Sequence, residues 1–347
     1  MKKQPSILFI TMGKNEGASR FRVQQYLPYL QNDGLKVHFY PLLWSNKHPE
    51  NYGVLKYFLY GQIVFLKFFS ILLAPFYDLI FIQRSIVRHI SPWPEKIIRN
   101  LGKKIIFDLD DAIWLNYADK KANPVDAVLR ISRQIIAGND YISSYSGKFC
   151  QNVTIVPTPI DTDIYQPVIK SAEDGFLTIG WIGTYSNLKY LKRLQPVFLK
   201  LKSIYGNKVR LAIVCDQRPD FELGIAYNFI PWSAENEATD IQKFDIGIMP
   251  LDDTEWARGK CAFKAIQYMS CGLAVVASPV GANIDVIQPG AGILARTDDE
   301  WLKALSQLIQ DKEKRADLGV RAREAVLNNY SVKVNYKKIS VIINGLL

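Results

Sequence analysis

Short apolar runs alternate with stretches of helical periodicity along most of the chain, and this alternation predicts an α/β fold. Residues 6–11 form an apolar run, helical spacing follows up to Gly34, and the segment KVHFYPLL is apolar again. A strand, a helix and a strand in this order are typical of a doubly wound sheet. The same alternation restarts at residue 176. We therefore predict two Rossmann-like domains that face each other across a cleft.

The segment between the two alternating halves carries the predicted domain boundary. Three prolines interrupt the polar stretch NVTIVPTPIDTDIYQP, which has the composition of a linker. We predict an N-terminal domain over residues 1–168 and a C-terminal domain over residues 169–328. Residues 329–347 are predicted to form a helix that packs back on the N-terminal domain.

The most apolar part of the chain is residues 54–82, where Lys56, Lys67 and Asp78 are the charged residues. A membrane-spanning helix needs about 20 apolar residues, and Lys67 and Pro75 interrupt this stretch. We predict one or two partly buried helices followed by a strand. Contact of residues 54–76 with a membrane interface stays open, and a true span is the less favoured alternative.

The net charge of +10 is concentrated in the first half of the chain. Up to Ala172 there are 21 Lys and Arg against 13 Asp and Glu, a charge of +8; the remainder has 22 against 20, a charge of +2. A basic N-terminal half fits an anionic lipid surface or nucleic acid. Nucleic acid is the weaker alternative, because most aromatic residues have the spacing of core positions.

The four cysteines, Cys150, Cys215, Cys261 and Cys271, have no metal-ligand spacing. We interpret them as reduced thiols of a cytoplasmic protein. The basic N-terminus precedes an apolar run that is too short for a signal peptide, so we predict that this run is the first strand.

Residues 258–283, RGKCAFKAIQYMSCGLAVVASPVGAN, carry the predicted anion-binding chemistry. Helical periodicity ends at Gly272, the expected left-handed stop, and LAVVASPV has the pattern of a strand buried on both faces. Lys260, Lys264 and Gln267 have the spacing of one helical face. Because a helix N-terminus attracts anions, two lysines there predict a phosphate site. The alternative is a solvated lysine face.

A glycine-containing loop follows the first predicted strand, at the edge where α/β sheets bind ligands. It includes Gly13, Gly17, Ser19 and Arg20, and it lacks the G-x-G-x-x-G spacing of a dinucleotide site. Arg20 is a candidate for contact with a phosphate or an acceptor, and an ordinary surface arginine is the equal alternative.

Three aspartates, Asp108, Asp110 and Asp111, end another predicted strand, KKIIFDLDDAIWL. Paired carboxylates can hold a divalent cation beside a diphosphate. The spacing is common in any chain, so we favour a role in ordering the loop over a metal site.

Several segments of the second half resemble the glycosyltransferases of family 4, which have the GT-B fold of two Rossmann-like domains. GKCAFKAIQYMSCGLAVVASPVG is similar to the family segment E-G-F-G-x-x-x-x-E-A-M-A-x-G-x-P-V-V-x-x-x-x-G. IGWIGTYSNLKYL, VPTPIDTDIYQP and FDIGIMPL resemble further family segments. The resemblance covers most of the C-terminal half and is weaker in the N-terminal half, where it rests on the glycine loop and on FDLDDAIW.

This resemblance implies a retaining enzyme with no metal or other cofactor, whose co-substrate is a nucleotide diphosphate sugar. The C-terminal domain would hold the donor and the N-terminal domain the acceptor. We expect a hexosyltransferase that uses UDP-glucose, or GDP-mannose as second choice, on a lipid-linked or oligosaccharide acceptor in envelope or exopolysaccharide synthesis. Such an enzyme would be cytoplasmic, at the inner face of the plasma membrane.

Two other classes of protein stay open as alternatives. One is an epimerase or phosphorylase-like enzyme with the same sugar-phosphate cleft. The other is a non-catalytic protein that binds nucleotide sugars or nucleic acid.

The chain departs from the family pattern at several predicted site residues. The family's two glutamates fall on Gly259 and Gln267, and its Gly-Arg turn becomes Gly183-Thr184. The predicted catalytic residues are Lys260, Lys264, Arg20, Asp110 and Asp111, with Lys189 as a further phosphate contact. The predicted donor-binding residues are Gly183, Thr184, Asn187, Ile230, Trp232, Arg258, Gly259, Cys261, Ala262, Phe263 and Gln267. The predicted cleft loop of the N-terminal domain is formed by Gly13, Gly17, Ser19 and Arg84.

Overall fold

The computed structural model describes residues 4–43, 53–84, 91–118, 122–169, 175–287 and 290–347. Contacts divide the chain into two compact units. The first unit comprises Met1–Pro159, Gly259–Cys261 and Val332–Leu347, and the second comprises Ile160–Arg258 and Ala262–Ser331. The division after Pro159 falls inside the proline-containing segment, before the predicted boundary at residue 168.

The first unit contains a parallel six-stranded sheet in the order β2-β1-β3-β4-β5-β6. Its strands are β1 (Ser6–Gly13), β2 (Lys36–Leu43), β3 (Leu79–Gln83), β4 (Lys104–Leu109), β5 (Gln134–Ala137) and β6 (Val153–Ile155). Its first helices are α1 (Gly17–Arg22), α2 (Leu27–Asn32), α3 (Leu55–Leu73), α4 (Trp93–Asn100), α5 (Pro124–Ile131) and α6 (Asp140–Ser146).

The second unit contains another parallel six-stranded sheet, in the order β12-β11-β10-β7-β8-β9. Its strands are β7 (Leu177–Gly183), β8 (Val209–Cys215), β9 (Tyr227–Pro231), β10 (Ile246–Met249), β11 (Ala274–Ala277) and β12 (Ile293–Leu294). Its helices are α7 (Leu188–Lys192), α8 (Gln195–Tyr205), α9 (Glu237–Ile241), α10 (Glu255–Arg258), α11 (Phe263–Ser270), α12 (Asn283–Val286), α13 (Asp298–Gln310) and α14 (Lys312–Asn329). Two parallel sheets covered by helices confirm the predicted α/β class.

Successive side chains along the strands of the first unit point to opposite faces of the sheet, and both faces are apolar. Leu8, Ile10 and Ile80 pack with Leu59 and Ile63 of α3. The opposite face has its own cluster, formed by Ile7, Phe9, Leu79, Phe81, Ile106, Tyr26, Leu30, Tyr336, Ile339 and Ile343. The last three belong to the terminal helix, α15 (Val332–Asn344), which therefore buries its apolar stripe within the first unit.

The region after β1 differs from the predicted single helix, because the chain leaves helical geometry at Val23. Helix α1 begins at Gly17, inside the predicted loop. Val23 has φ −125° and ψ −61°, and a short 3-10 turn then leads into α2. Pro28 lies in the first turn of α2, where its missing N–H costs no hydrogen bond. The predicted stop at Gly34 is confirmed by its φ of 81°.

The amphipathic stretch DDEWLKALSQLIQDKEKRADLGVRAREAVLNNY, for which the sequence predicts a helix, forms two helices. Asp311 separates α13 from α14 with φ −107° and ψ 94°. Its carboxylate accepts a hydrogen bond from the Lys314 N–H at 2.8 Å, which caps α14. An amphipathic period continues through such a break, so periodicity alone did not reveal it.

Candidate active site

The predicted anion-binding helix is α11, which is followed by β11. Gly272 has φ 70°, which confirms the predicted left-handed stop after the helix. β11 is fully buried and pairs with β10 and β12. The strand after α11 was therefore predicted correctly.

Lys264 lies in the first turn of α11, next to the carboxyl end of β7. Its Nζ lies 4.6 Å from the centroid of the Trp181 ring. A Cβ added to Gly183 would lie 2.6 Å from that Nζ and equally close to the Trp181 ring. Only glycine leaves room for this approach. The structure thus places an ammonium group against the last residue of β7, at the N-terminal end of α11.

The loop after β7 supplies polar side chains beside Gly183. Asn187 donates from Nδ2 to Thr184 Oγ1 at 2.7 Å, and the Ser186 hydroxyl lies 3.1 Å from the same oxygen. The Tyr185 N–H donates to Asp216 Oδ1 at 2.7 Å, which ties this loop to the end of β8. Two predicted donor-binding residues, Thr184 and Asn187, are therefore neighbours.

Lys260 does not share a helical face with Lys264, so that prediction is wrong. Helix α11 begins at Phe263, and Ala262 before it has a left-handed φ of 52°. Lys260 therefore lies outside the helix, and its separation of four residues from Lys264 does not place the two side chains on one helical face. Lys260 belongs to the first unit, where its carbonyl oxygen accepts a hydrogen bond from Asn139 Nδ2 at 3.0 Å.

Gln267 pairs with a glutamate that the sequence did not single out. Gln267 is 2% exposed and Glu237 of α9 is 6% exposed. Gln267 donates from Nε2 to Glu237 Oε1 at 2.9 Å, and the Tyr165 hydroxyl donates to the other carboxylate oxygen at 3.0 Å. A carboxylate thus lies beside the position where the family segment has its second glutamate. No local pattern connects residues in separate helices, so only the fold reveals this pair.

Two predicted contacts for a base lie at the end of β9. Ile230 and Trp232 are both half-buried. The Trp232 N–H donates to the Cys215 carbonyl oxygen at 2.9 Å, which continues the β8–β9 pairing. Trp232 is therefore neither a core residue nor a fully exposed one.

Arg258 ends α10, and its backbone packs closely against Gly281. A Cβ at Gly281 would lie 2.6 Å from the Arg258 carbonyl oxygen, and Gly281 has φ 53°. The Arg258 guanidinium donates from Nε to Asp253 Oδ1 at 2.7 Å. The two glycines at the ends of β11 therefore have different roles: Gly272 stops a helix, and Gly281 admits a neighbouring backbone.

Three aspartates at the end of β4 are paired with arginines of the first unit. Asp108 is buried and accepts from Arg22 Nε at 3.0 Å. Arg84 Nε lies 2.5 Å from Asp110 Oδ1, and Arg84 Nη2 donates to Asp111. These ion pairs fit the favoured role in ordering the loop. Among the described residues, no group of three His, Cys, Asp or Glu could hold a metal ion.

Cys261 and Gly259 pack within the first unit. Cys261 Sγ lies 3.0 Å from the Asp110 carbonyl oxygen, and a Cβ at Gly259 would lie 2.4 Å from Ala112 Cβ. Burial raises the pKa of the Cys261 thiol to about 12, so at neutral pH it is neither a nucleophile nor an anion. Its side chain is therefore part of the core, although the sequence predicted a donor contact.

The loop after β1 places one unexpected carboxylate among the predicted residues. Ser19 is buried, Arg20 is half-buried with its guanidinium 4.8 Å from the Phe21 ring, and Gly17 begins α1. Burial raises the pKa of Glu16, and nearby Arg84 opposes this shift. Gly13 ends β1 at the same loop. Glu16 was missed because a single loop glutamate carries no pattern.

Comparison with known proteins identifies the fold and one domain. A family model described as "Glycosyl transferases group 1" matches residues 176–311, which contain β7 to β12 and α11. The chain matches no curated protein.

Several solved structures resemble the whole chain. Sucrose-phosphate synthase from Thermosynechococcus elongatus has a TM-score of 0.72 at 15% identity and covers 99% of both chains. WaaG, a glycosyltransferase involved in lipopolysaccharide biosynthesis, has a TM-score of 0.70 at 12% identity and covers 97% of this chain and 99% of its own. HepE from Anabaena in complex with UDP-glucose has a TM-score of 0.67 at 15% identity and covers 98% of this chain and 99% of its own.

These similarities show the GT-B fold of two Rossmann-like domains and, with the family match, support a glycosyltransferase.

Proposed function

We propose that this protein is a retaining glycosyltransferase that moves a hexose from a nucleotide diphosphate sugar to an acceptor hydroxyl. The Lys264 ammonium beside Gly183 carries this proposal, because it lies inside the matched segment and in the first turn of α11. An ammonium group and the N-terminal end of a helix both attract a diphosphate. A fixed cation there stabilises the charge that develops on the leaving diphosphate.

The proposed reaction needs placement and charge more than a protein nucleophile. The bond between the anomeric carbon and the diphosphate oxygen breaks, the acceptor oxygen takes its place, and the acceptor proton passes to the leaving phosphate. Lys264 offsets part of the charge on the leaving diphosphate, with Thr184 and Asn187 as hydrogen-bonding groups at the same loop. Holding the acceptor oxygen on the same face of the sugar as the leaving diphosphate retains the anomeric configuration, and this placement supplies much of the rate enhancement.

The ribose and base contacts are assigned to the remaining residues of the second unit. Gln267 is assigned to the ribose hydroxyls, because an amide can both donate and accept hydrogen bonds. Glu237 fixes the orientation of this amide by accepting from its Nε2. Ile230 and Trp232 are assigned to the base, and the acceptor is assigned to the loop after β1 in the first unit, which includes Arg20.

UDP-glucose is the proposed donor, and HepE complexes with UDP and with UDP-glucose support this choice. Calorimetric titration with UDP, GDP, ADP and dTDP tests it directly. We expect UDP to bind most tightly. A preference for GDP would favour GDP-mannose as donor, and binding of none of the four would contradict the proposed function.

We further propose that no metal ion takes part. The Arg84 guanidinium already pairs with both Asp110 and Asp111, which are the carboxylates best placed in sequence for a metal site. Turnover of UDP-glucose should persist in excess EDTA. Activity that requires added Mn²⁺ or Mg²⁺, and that Asp111→Asn abolishes, would show that this assignment is wrong.

The proposed acceptor is an oligosaccharide or a lipid-linked saccharide of envelope or exopolysaccharide synthesis, used in the cytoplasm at the inner face of the plasma membrane. The basic charge of the first half supports an acceptor presented at an anionic surface. Incubation of membranes with radiolabelled UDP-glucose tests this. Label should appear in the lipid-extractable fraction, whereas label confined to the aqueous fraction would favour a free oligosaccharide.

A further inference from the structure

Helix α3 has an apolar face that is exposed on the surface of the first unit. The residues of this apolar face are Tyr57, Phe58, Phe65, Phe68, Phe69 and Leu72. Their separations of three, four and seven positions form one stripe along the helix. Phe65 is 60% exposed and Phe68 is 49% exposed. Such a continuous stripe of large side chains differs from the isolated apolar residues that cover most protein surfaces.

The opposite face of α3 fixes the helix to the sheet along its length. Leu59, Ile63 and Leu66 belong to the core cluster of the first unit. Lys67 makes a buried ion pair with Glu95 of α4, with Nζ 2.7 Å from Oε1. Residues Leu55–Phe76 are long and apolar enough to cross a membrane. Crossing would expose this core and break a buried ion pair, so the helix can only lie along a surface.

The exposed charged side chains of helices α3 and α4 are basic. Helix α4 exposes Lys96 and Arg99 together with Trp93. The described residues between Gly53 and Lys104 contain two carboxylates, and Glu95 is buried against Lys67. The other, Asp78, accepts hydrogen bonds from the Ser6 N–H and hydroxyl at 2.9 and 2.8 Å. A protein partner with an apolar patch would not need the basic residues of α4. An anionic bilayer complements both the apolar face of α3 and these basic residues.

We propose that α3 and α4 form a membrane-docking surface, on which the protein lies in the plane of an anionic lipid bilayer. The aromatic side chains of the apolar face enter the boundary between head groups and acyl chains, and Lys96 and Arg99 contact lipid phosphates. This inference deepens the proposed function by naming the surface that meets the membrane. Its test measures lipid binding without glycosyl transfer, so the two proposals can fail separately.

Co-sedimentation of the full chain with lipid vesicles tests the docking surface. We expect binding to vesicles of phosphatidylcholine and phosphatidylglycerol in equal parts, and much weaker binding to phosphatidylcholine alone. The double variant Phe65→Glu/Phe68→Glu should lose at least about tenfold in affinity, because two large apolar side chains no longer leave water. The double variant Lys96→Gln/Arg99→Gln should lose about fivefold per charge on the anionic vesicles.

The controls change exposed apolar residues and exposed basic residues elsewhere on the surface. Val320→Glu/Val341→Glu replaces side chains that are 68% and 73% exposed, and Lys337→Gln/Lys338→Gln removes two exposed charges from α15. Both should bind vesicles like the wild type, and circular dichroism melting checks that every variant folds. If Phe65→Glu/Phe68→Glu melts early, the lysine and arginine variant still decides the outcome.

Three results would overturn the proposal. The first is wild-type protein that remains in the supernatant with anionic vesicles, and the second is variants of α3 and α4 that bind as their controls do. The third is a wild-type dimer in sedimentation velocity that Phe65→Glu/Phe68→Glu converts to a monomer, without vesicle binding by either. That result would assign the apolar face to a second copy of this chain.

Discussion

The basic side chains at the carboxyl edges of the two sheets have different partners. In the first unit, the guanidinium groups of Arg22 and Arg84 are bound to the aspartates at the end of β4. In the second unit, the Lys264 ammonium lies over the Trp181 ring beside a glycine. A buried ion pair is costly to break, by about 3–5 kcal/mol, whereas a cation–π contact contributes about 0.5–2 kcal/mol.

This difference suggests a division of roles between the two edges. Arginines that are committed to carboxylates order their own loops and contribute little to binding an incoming anion. The Lys264 ammonium lies at the end of β7, beside the polar loop that is assigned to the diphosphate. We therefore expect substitutions at the first edge to change stability, and substitutions at the second edge to change ligand binding and turnover.

Loss of Arg22 should have the largest effect, and it should be an effect on stability. Arg22→Ala leaves the Asp108 carboxylate buried without its guanidinium partner, so the free energy of unfolding should fall by about 3–5 kcal/mol. Urea denaturation measures this. Arg22→Ala/Asp108→Ala should lose less than the sum of the two single variants. Additive losses would show that the pair is not coupled.

Loss of Lys264 should lower turnover and leave stability nearly unchanged. Lys264→Ala should lower kcat by about 10²–10³-fold, the range found when one donor to a developing anion is removed. Its melting temperature should stay near that of the wild type, because the side chain is half-buried and on the helix surface.

Lys202→Ala, which removes an exposed lysine of α8, is the control for Lys264→Ala. A wild-type turnover in Lys264→Ala, with UDP affinity also unchanged, would remove the basis for the phosphate site.

The Glu237–Gln267 pair offers a sharper test of the second edge, of intermediate size. Gln267→Glu places two carboxylates in contact, so UDP affinity should fall about tenfold at pH 8 and stability should fall with it. The exchange Glu237→Gln/Gln267→Glu restores one amide and one carboxylate, and both properties should recover. Calorimetry with UDP and thermal melting provide the measurements. No recovery in the exchanged variant would contradict the assigned pairing.

Glu16 should give the smallest effect, and only with changing pH. Because burial raises the pKa of Glu16 in the folded protein, the folded state binds its proton more tightly than the unfolded state. Stability from this group is therefore present at low pH, and it falls as pH rises from the ordinary glutamate pKa through the raised one.

Glu16→Gln should remove this dependence of the free energy of unfolding on pH, and it should be the more stable protein at neutral pH. Urea denaturation between about pH 4 and 8 measures both, because a glutamate with a raised pKa titrates within this range. The exposed Glu222→Gln is the control. A constant difference between wild type and Glu16→Gln at every pH would mean that Glu16 does not titrate with folding.

Local sequence determined most of the architecture. Alternating apolar runs and helical stretches predicted the strands β1, β2, β3, β4 and β11, because burial on a sheet face or helix face imposes a fixed period. Gly34 and Gly272 were predicted as helix stops, since few other residues adopt a left-handed backbone. The short strands β6 and β12 were missed because two or three residues are too few to show a period.

Tertiary structure alone decided which charged groups meet. The left-handed Ala262 separates Lys260 from the helix of Lys264, and a residue spacing cannot reveal such a break. Glu237 reaches Gln267 from another helix, and Arg84 reaches Asp110 from another strand. These contacts depend on how distant elements pack, and periodicity describes only neighbours along the chain. The sequence therefore determined the sheets and helices, and the packing between them decided the chemistry at their edges.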